Sequence, residues 1–312
     1  MAVHWTIETE AARGPLDVRI DKGEWVDAAR GRTVPYKIYR PETLDSGPYP
    51  VVIWSHGLGG TRDGAGYLGR YLASHGFLHI HIQHDGTDDS LWRGMPGHPW
   101  DNIRNAHIPW ETVRNRYLDV PFALDRLMEM NARDDFYRGR MDFSRLGMSG
   151  HSFGALTTQV ICGQLAGREV PEDLSDGRFL AGVLYSPVPA FRHQLGGENV
   201  YQSIKRPLLH ITGTEDLSPV EGFGMERRVE VFTGAGDVDQ YLFVLEGGDH
   251  MVFNGSRGQL EAYDGIEAHQ DMICIAAHAW WDAWLNRDEG ARGWIDSHAA
   301  HWASGRGEFR KR

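Results

Sequence analysis

The chain has 312 residues, 41% of them apolar and 24% charged, and a formal net charge of −11. That length and composition suit one large α/β domain spanning residues 1–312 with a sizeable core. The acidic balance argues against nucleic acid and anionic membrane surfaces as partners, since both repel a negative protein. No stretch approaches the roughly 18 apolar residues of a membrane span. Residues 1–8 lack a basic region followed by an apolar one. The expectation from the sequence as it stands is a cytoplasmic protein, with a secreted mature form as the alternative.

The first 50 residues read as β-structure, with short, partly alternating runs at 16–21, 24–27 and 33–39 separated by Gly23 and Gly31. Val51-Val52-Ile53-Trp54 is a continuous apolar run within 50–55, as expected of a strand buried on both faces. A Gly-rich loop at 57–66 leads to a helix near 66–75 and a strand at 77–82. Residues 84–110, with their prolines and tryptophans, read as an irregular excursion over the sheet. Val113, Tyr117, Val120, Leu124, Leu127 and Met128 recur at spacings of three and four, the pattern of an amphipathic helix over 111–130. Pro121 inside it implies a kink or a helix start. A short strand at 143–149 runs into Gly150-His151-Ser152-Phe153-Gly154, and a small-residue helix at 155–164 leaves it. Further strands are expected at 179–185, 207–212 and 240–245. The last long helix, 266–285, places Met272, Ile273, Ala276, Trp280 and Trp284 on one stripe. Strands alternating with helices imply an α/β fold: a mostly parallel central sheet, helices on both faces, and an antiparallel N-terminal edge.

The pentapeptide around Ser152 fits G-x-S-x-G, a serine held on a sharp strand-to-helix turn. So tight a turn strains the backbone, and side chains two residues either side would collide with the neighbouring strand and helix. A serine hydroxyl also needs a general base, and the base needs an orienting carboxylate. In a parallel sheet these come from loops at the carboxyl ends of strands. Two later loops qualify, Gly213-Thr214-Glu215-Asp216 and Gly247-Gly248-Asp249-His250. The candidate set in chain order is Ser152, Asp216, His250. Glu215 shares the turn with Asp216 and is the second choice for the acid. Asp237 and Asp239 lie in a Gly-rich turn before the last strand, and Asp249 should point away from its neighbour. Donors for a developing oxyanion are expected from the backbone N–H groups of Leu58, in Ser55-His56-Gly57-Leu58-Gly59-Gly60, and of Phe153, at a helix N-terminus.

These stretches, with His75-Gly76-Phe77, His84-Asp85-Gly86 and Asp27-Ala28-Ala29-Arg30-Gly31-Arg32, resemble an α/β-hydrolase. More narrowly, they are similar to the serine esterases grouped with dienelactone hydrolases and platelet-activating-factor acetylhydrolases. The resemblance spans residues 27–255. It implies a Ser-Asp-His triad, ester hydrolysis without a cofactor or metal, and Asp216 as the acid. True dienelactone hydrolases use a cysteine where this chain has Ser152. The expected reaction is carboxylic ester hydrolysis through an acyl-enzyme, on short-chain or accessible small-molecule or polymeric esters. A polyester hydrolase, an amidase or peptidase of the same fold, and a non-catalytic ligand-binding protein are the rival readings.

Among 16 histidines, His75, His79, His81 and His84 crowd one strand. Such spacing can bind a metal, but strand residues packing under helices is the simpler reading. His84, Trp92 and Tyr185 are candidates for substrate binding, with Trp54, Trp100 and Trp110 either lining a cleft or buried beneath the long loop. Cys162 and Cys274, the two cysteines, sit in apolar helix-like stretches and read as buried thiols, with a disulfide as the alternative. The sequence carries no signal for oligomeric state.

Overall fold

The structure, a computed structural model, describes residues 5–167, 170–190, 200–255 and 265–312. Among the described residues nine strands form one sheet in the order β1-β2-β4-β3-β5-β6-β7-β8-β9. β1 (Val18–Asp27) and β2 (Arg32–Pro41) are an antiparallel hairpin, and β2 pairs antiparallel with β4 (Leu78–Ile82). From β4 the sheet is parallel through β3 (Tyr49–Ser55), β5 (Met141–His151), β6 (Ala181–Tyr185), β7 (Leu208–Glu215) and β8 (Gln240–Asp249). β9 (Gly307–Lys311) closes the far edge antiparallel to β8.

The parallel strands are apolar without interruption because helices cover both faces. On β3, Val52 and Trp54 point into a core built with α1 (Gly66–Ser74) and α6 (Ile266–Trp284), while Val51 and Ile53 point to the opposite core against α3 (Trp110–Arg133). α4 (Phe153–Ile161) and α5 (Met225–Gly234) share the second face, where Ala155 and Val231 pack on Leu184 and Leu208. Trp280 and Trp281 are both fully buried in the first core. α7 (Glu289–Ser297) and α8 (Ala299–Ala303) extend that layer, with Trp294 and Trp302 in contact at 5.2 Å. Among the described residues no helix is long and apolar enough to cross a membrane.

The α/β architecture agrees with the sequence expectation, and three local readings need correction. Gly23 does not separate two runs but lies inside β1, opposite Tyr36. A Cβ there would fall 2.5 Å from the Tyr36 hydroxyl, so glycine is what lets that ring lie flat across the strand and stack on Trp25 at 3.9 Å. Pro121 neither starts nor ends a helix, since α3 runs through it. The lost backbone bond is offset by fully burying Val120, Leu124 and Leu127 on either side. The chain also continues after α6 into two helices and an edge strand. The excursion at 84–110 contains a 3₁₀ turn (Asp89–Leu91) and α2 (Pro99–Asn105), with Pro99 in the first helical turn.

Trp281 packs its ring against Gly147 of β5, where an added Cβ would meet it at 2.5 Å. Trp281→Ala should therefore leave an unfilled cavity under the central strand and lower unfolding stability by about 3–5 kcal/mol. Guanidinium unfolding midpoints at unchanged m-value will check this.

Candidate active site

β5 ends at His151 and α4 begins at Phe153, leaving Ser152 alone in the turn with φ 54° and ψ −116°. A serine at positive φ is strained, and the surroundings hold it there. Its N–H donates to the Tyr185 carbonyl at 2.9 Å and its own carbonyl accepts from Leu156 at 3.1 Å. The flanking glycines are demanded by contact. A Cβ on Gly150 would lie 2.3 Å from the Gly154 carbonyl oxygen, and one on Gly154 would lie 1.9 Å from the carbonyl oxygen of Ser55. Ser152 itself is partly exposed, while residues 150, 151 and 154 are buried.

Asp216 and His250 follow β7 and β8 directly, so two adjacent parallel strands bring them together. The Nδ1 of His250 lies 2.7 Å from Asp216 Oδ1. Glu215 is exposed and Asp216 fully buried, which distinguishes two carboxylates that are neighbours in the chain. Thr212 Oγ1 donates to Asp216 Oδ2 at 2.8 Å and Ser186 Oγ donates to Oδ1 at 3.0 Å. Burial pushes the Asp216 pKa up, but the Arg228 guanidinium, His250 and Thr212 outweigh it and hold the carboxyl below its ordinary value. The imidazole is fixed from its other side too. His151 Nε2 lies 2.8 Å from the His250 carbonyl oxygen and the two rings are 4.7 Å apart. His250 is thereby set against the residue preceding Ser152, with Nδ1 turned to the acid. The Asp249 carboxylate accepts from the backbone N–H groups of Met251 and Val252, capping the turn.

Two participants carried no distinguishing signal in the sequence. Arg228 on α5 is fully buried behind the pair. Its Nε lies 3.0 Å from Asp216 Oδ1, Nη2 lies 3.1 Å from His250 Nδ1, and Nη1 donates to the Pro187 carbonyl at 3.0 Å. Its neighbour Arg227 pairs with Glu230 nearer the surface and lies over the Phe223 ring, and nothing in Glu226-Arg227-Arg228 tells the two arginines apart. Ser186, at φ 59°, sits between acid and base with Oγ 2.9 Å from His250 Nδ1.

The loop after β3 folds over the start of α4. A Cβ on Gly57 would be 3.3 Å from that of Ser152. Gly59 N–H donates to Thr87 and Gly60 N–H to Gly57, so both are consumed within the loop. Phe153 is the first residue of α4, a position whose N–H has no intrahelical acceptor. Trp92 roofs the loop, donating its indole N–H to the Gly59 carbonyl at 2.7 Å. Arg104 of α2 donates to the Pro219 carbonyl at 2.8 Å, tying the excursion to the loop that carries Asp216.

Two of the expected pocket residues are buried. His84 is fully buried under the loop, 2.9 Å from Ser55 Oγ and 3.1 Å from Asp119 Oδ2. Tyr185 is fully buried with its ring facing Phe253, and its carbonyl accepts the Ser152 N–H. Trp54 is likewise a core residue, stacked on His81. Trp100 and Trp110 are half-buried. His79 and His81 face each other at 2.7 Å, and burial holds His79 down at about 3 and His81 well below its ordinary value. Among the described residues no three metal-binding side chains gather. Cys162 and Cys274 are free, buried thiols. A cleft of about 570 Å³ lies at the other end of the sheet, bordered by Tyr49, His75, Arg145, His278 and Asp282, and none of the site residues lines it.

Two outcomes follow from this geometry. Gly154→Ala drives a methyl into a backbone carbonyl and should cost about 3 kcal/mol or more in unfolding free energy, measurable by denaturant titration. A carboxylate whose folded pKa is depressed adds stability above its unfolded pKa and loses it as pH falls through the folded one. The gap in melting temperature between wild type and Asp216→Asn should therefore be widest above the ordinary aspartate value of 3.8 and close only below it.

The chain is similar to known proteins over most of its length. The family model described as platelet-activating factor acetylhydrolase, isoform II, matches residues 33–92. The platelet-activating factor acetylhydrolase of Cavia porcellus is 25% identical over 283 residues, covering 79% of this chain and 60% of that protein. The one from Bos taurus is 26% identical over 247 residues, covering 64% of this chain and 52% of that protein. The chain thus spans less than two thirds of these relatives' length. In sequence, it resembles the platelet-activating factor acetylhydrolase group of α/β-hydrolase serine esterases.

Proposed function

We propose that the protein is a carboxylic ester hydrolase acting through Ser152, His250 and Asp216. The observation that carries this reading is the 2.7 Å contact between His250 Nδ1 and the buried Asp216, set beside a serine on a strained turn. With Nδ1–H donated to the carboxylate, Nε2 is the nitrogen free to accept a proton. Ser152 Oγ attacks the ester carbonyl and its proton passes to His250. The carbonyl electrons move onto oxygen, where the N–H groups of Leu58 and Phe153 receive the negative charge. The tetrahedral intermediate collapses to the acyl-serine as His250 protonates the departing alcohol. Water, deprotonated by His250, then releases the acid and restores the serine. Asp216 holds the tautomer throughout and stabilises the imidazolium, while Arg228 keeps Asp216 ionised.

The substrate reading is a short-chain or otherwise accessible acyl ester. Trp92 over Gly59 and the Arg104–Pro219 bond tie the excursion to the two loops of the proposed site, which supports a small acyl group. The relatives' name, acetylhydrolase, points the same way.

Ser152→Ala should lower p-nitrophenyl acetate hydrolysis by about 10⁴-fold or more with an unchanged melting temperature. A fluorophosphonate should label Ser152 in the wild type. Absence of the adduct, or turnover surviving in Ser152→Ala, rejects the triad. Equal turnover of acetate and palmitate esters rejects the confined acyl site.

A further inference from the structure

Arg116, on α3, is fully buried, and among the described residues it forms no ion pair. Among the described residues its hydrogen-bond partners are neutral oxygens. Nε donates to Thr157 Oγ1 and Nη1 to Thr87 Oγ1, both at 2.8 Å. Nη2 donates to Ser55 Oγ at 2.9 Å and to the His56 carbonyl. The guanidinium carbon lies 4.4 Å from the centre of the Phe153 ring. The Thr157 hydroxyl passes the connection on, donating to the Phe153 carbonyl at 2.9 Å. One cation therefore grips the loop that carries Leu58 and the first turn of the helix that carries Phe153.

Burying a guanidinium without a carboxylate partner is unfavourable. The cost shows in its pKa, which burial draws down from 12.5 to about 9, still high enough to keep the charge at neutral pH. Asp119 lies one turn further along α3 and is occupied by Arg30, Arg32 and His84. Asp119 is thus already engaged, and the Arg116 donors turn to the loop and to α4.

We propose that Arg116 is a positioning residue of the oxyanion site: it clamps the His56 carbonyl to the base of α4, fixing the spacing of the Leu58 and Phe153 N–H groups, and lends positive charge beneath the oxygen that turns negative. This rests on the esterase reading above. Asp119 and Asp88 act on the guanidinium without pairing with it, so a tetrahedral oxyanion adds a further counter-charge, and the benefit falls on the transition state and not on the bound ester.

The test uses the full chain, with active sites counted by fluorophosphonate titration. Arg116→Gln keeps hydrogen-bonding groups and removes the charge. It should lower kcat for p-nitrophenyl acetate, per titrated site, by about 10- to 100-fold with KM changed less than about threefold. Phenylboronic acid, which adds to Ser152 as a tetrahedral anion, should bind weaker by a similar factor. Arg116→Lys should recover much of both. A purely structural role would lower the titratable fraction and the melting temperature but leave turnover per site and boronate affinity at wild-type values, and that result overturns the proposal. If Arg116→Gln does not fold, Thr157→Val decides. It removes the acceptor on α4 and should reduce turnover per site about three- to tenfold; undiminished turnover overturns the proposal. A wild type that neither hydrolyses the ester nor takes the fluorophosphonate fails at the esterase reading, a result distinct from an active wild type matched by Arg116→Gln.

Discussion

The structure depends on a backbone-to-backbone contact: Gly154, at the head of α4, lies so close to the Ser55 carbonyl that no side chain fits between them. That contact joins the end of β3 to the start of α4 at the point where the chain must reverse. It forces Ser152 to carry the strain of the turn, since both neighbouring glycines are spent on clearance. It also brings the Gly-rich loop over the serine, so the proposed nucleophile and oxyanion donors are set by one packing event.

Around that junction, two arginines occupy opposite flanks. Arg228 stands behind the Asp216–His250 pair, and Arg116 stands beneath the loop and helix. Each is fully buried, yet they are supported differently. Arg228 neutralises a carboxylate and its contribution is to the ionisation of the acid. Arg116 donates to neutral oxygens, and Asp119 and Asp88 offset its charge only in part. Buried charge of both signs within one polar layer, between two apolar cores, is costly in folding and is concentrated here at the carboxyl ends of the parallel strands.

Much of this was legible in the sequence because it rests on local pattern. The Val51–Trp54 run, the three-and-four spacing of α3 and the glycines bracketing Ser152 each encode a geometry within a few residues. Asp216 and His250 could be placed because strand ends in a parallel sheet share one rim. What failed to show was long-range. Arg228 is one of two adjacent arginines on an amphipathic helix, and only tertiary structure turns one inward and the other out. His84 and Tyr185 sit at strand ends, as pocket residues would, but their side chains turn into a polar layer and an apolar core that no short window reveals. β9 is five residues with three charges, too short and too polar for periodicity to register, and it is the pairing with β8 that makes it a strand.

The two cysteines have a practical consequence. Cys162 closes α4 and Cys274 lies within α6, one on each face of the sheet, and burial pushes the Cys162 thiol up to about 12 and Cys274 well above its ordinary value. Neither sulfur is an available thiolate while the cores are closed. Alkylation by a maleimide would therefore time the opening of the two hydrophobic layers separately, giving the native protein a built-in clock for local unfolding on either side of its sheet.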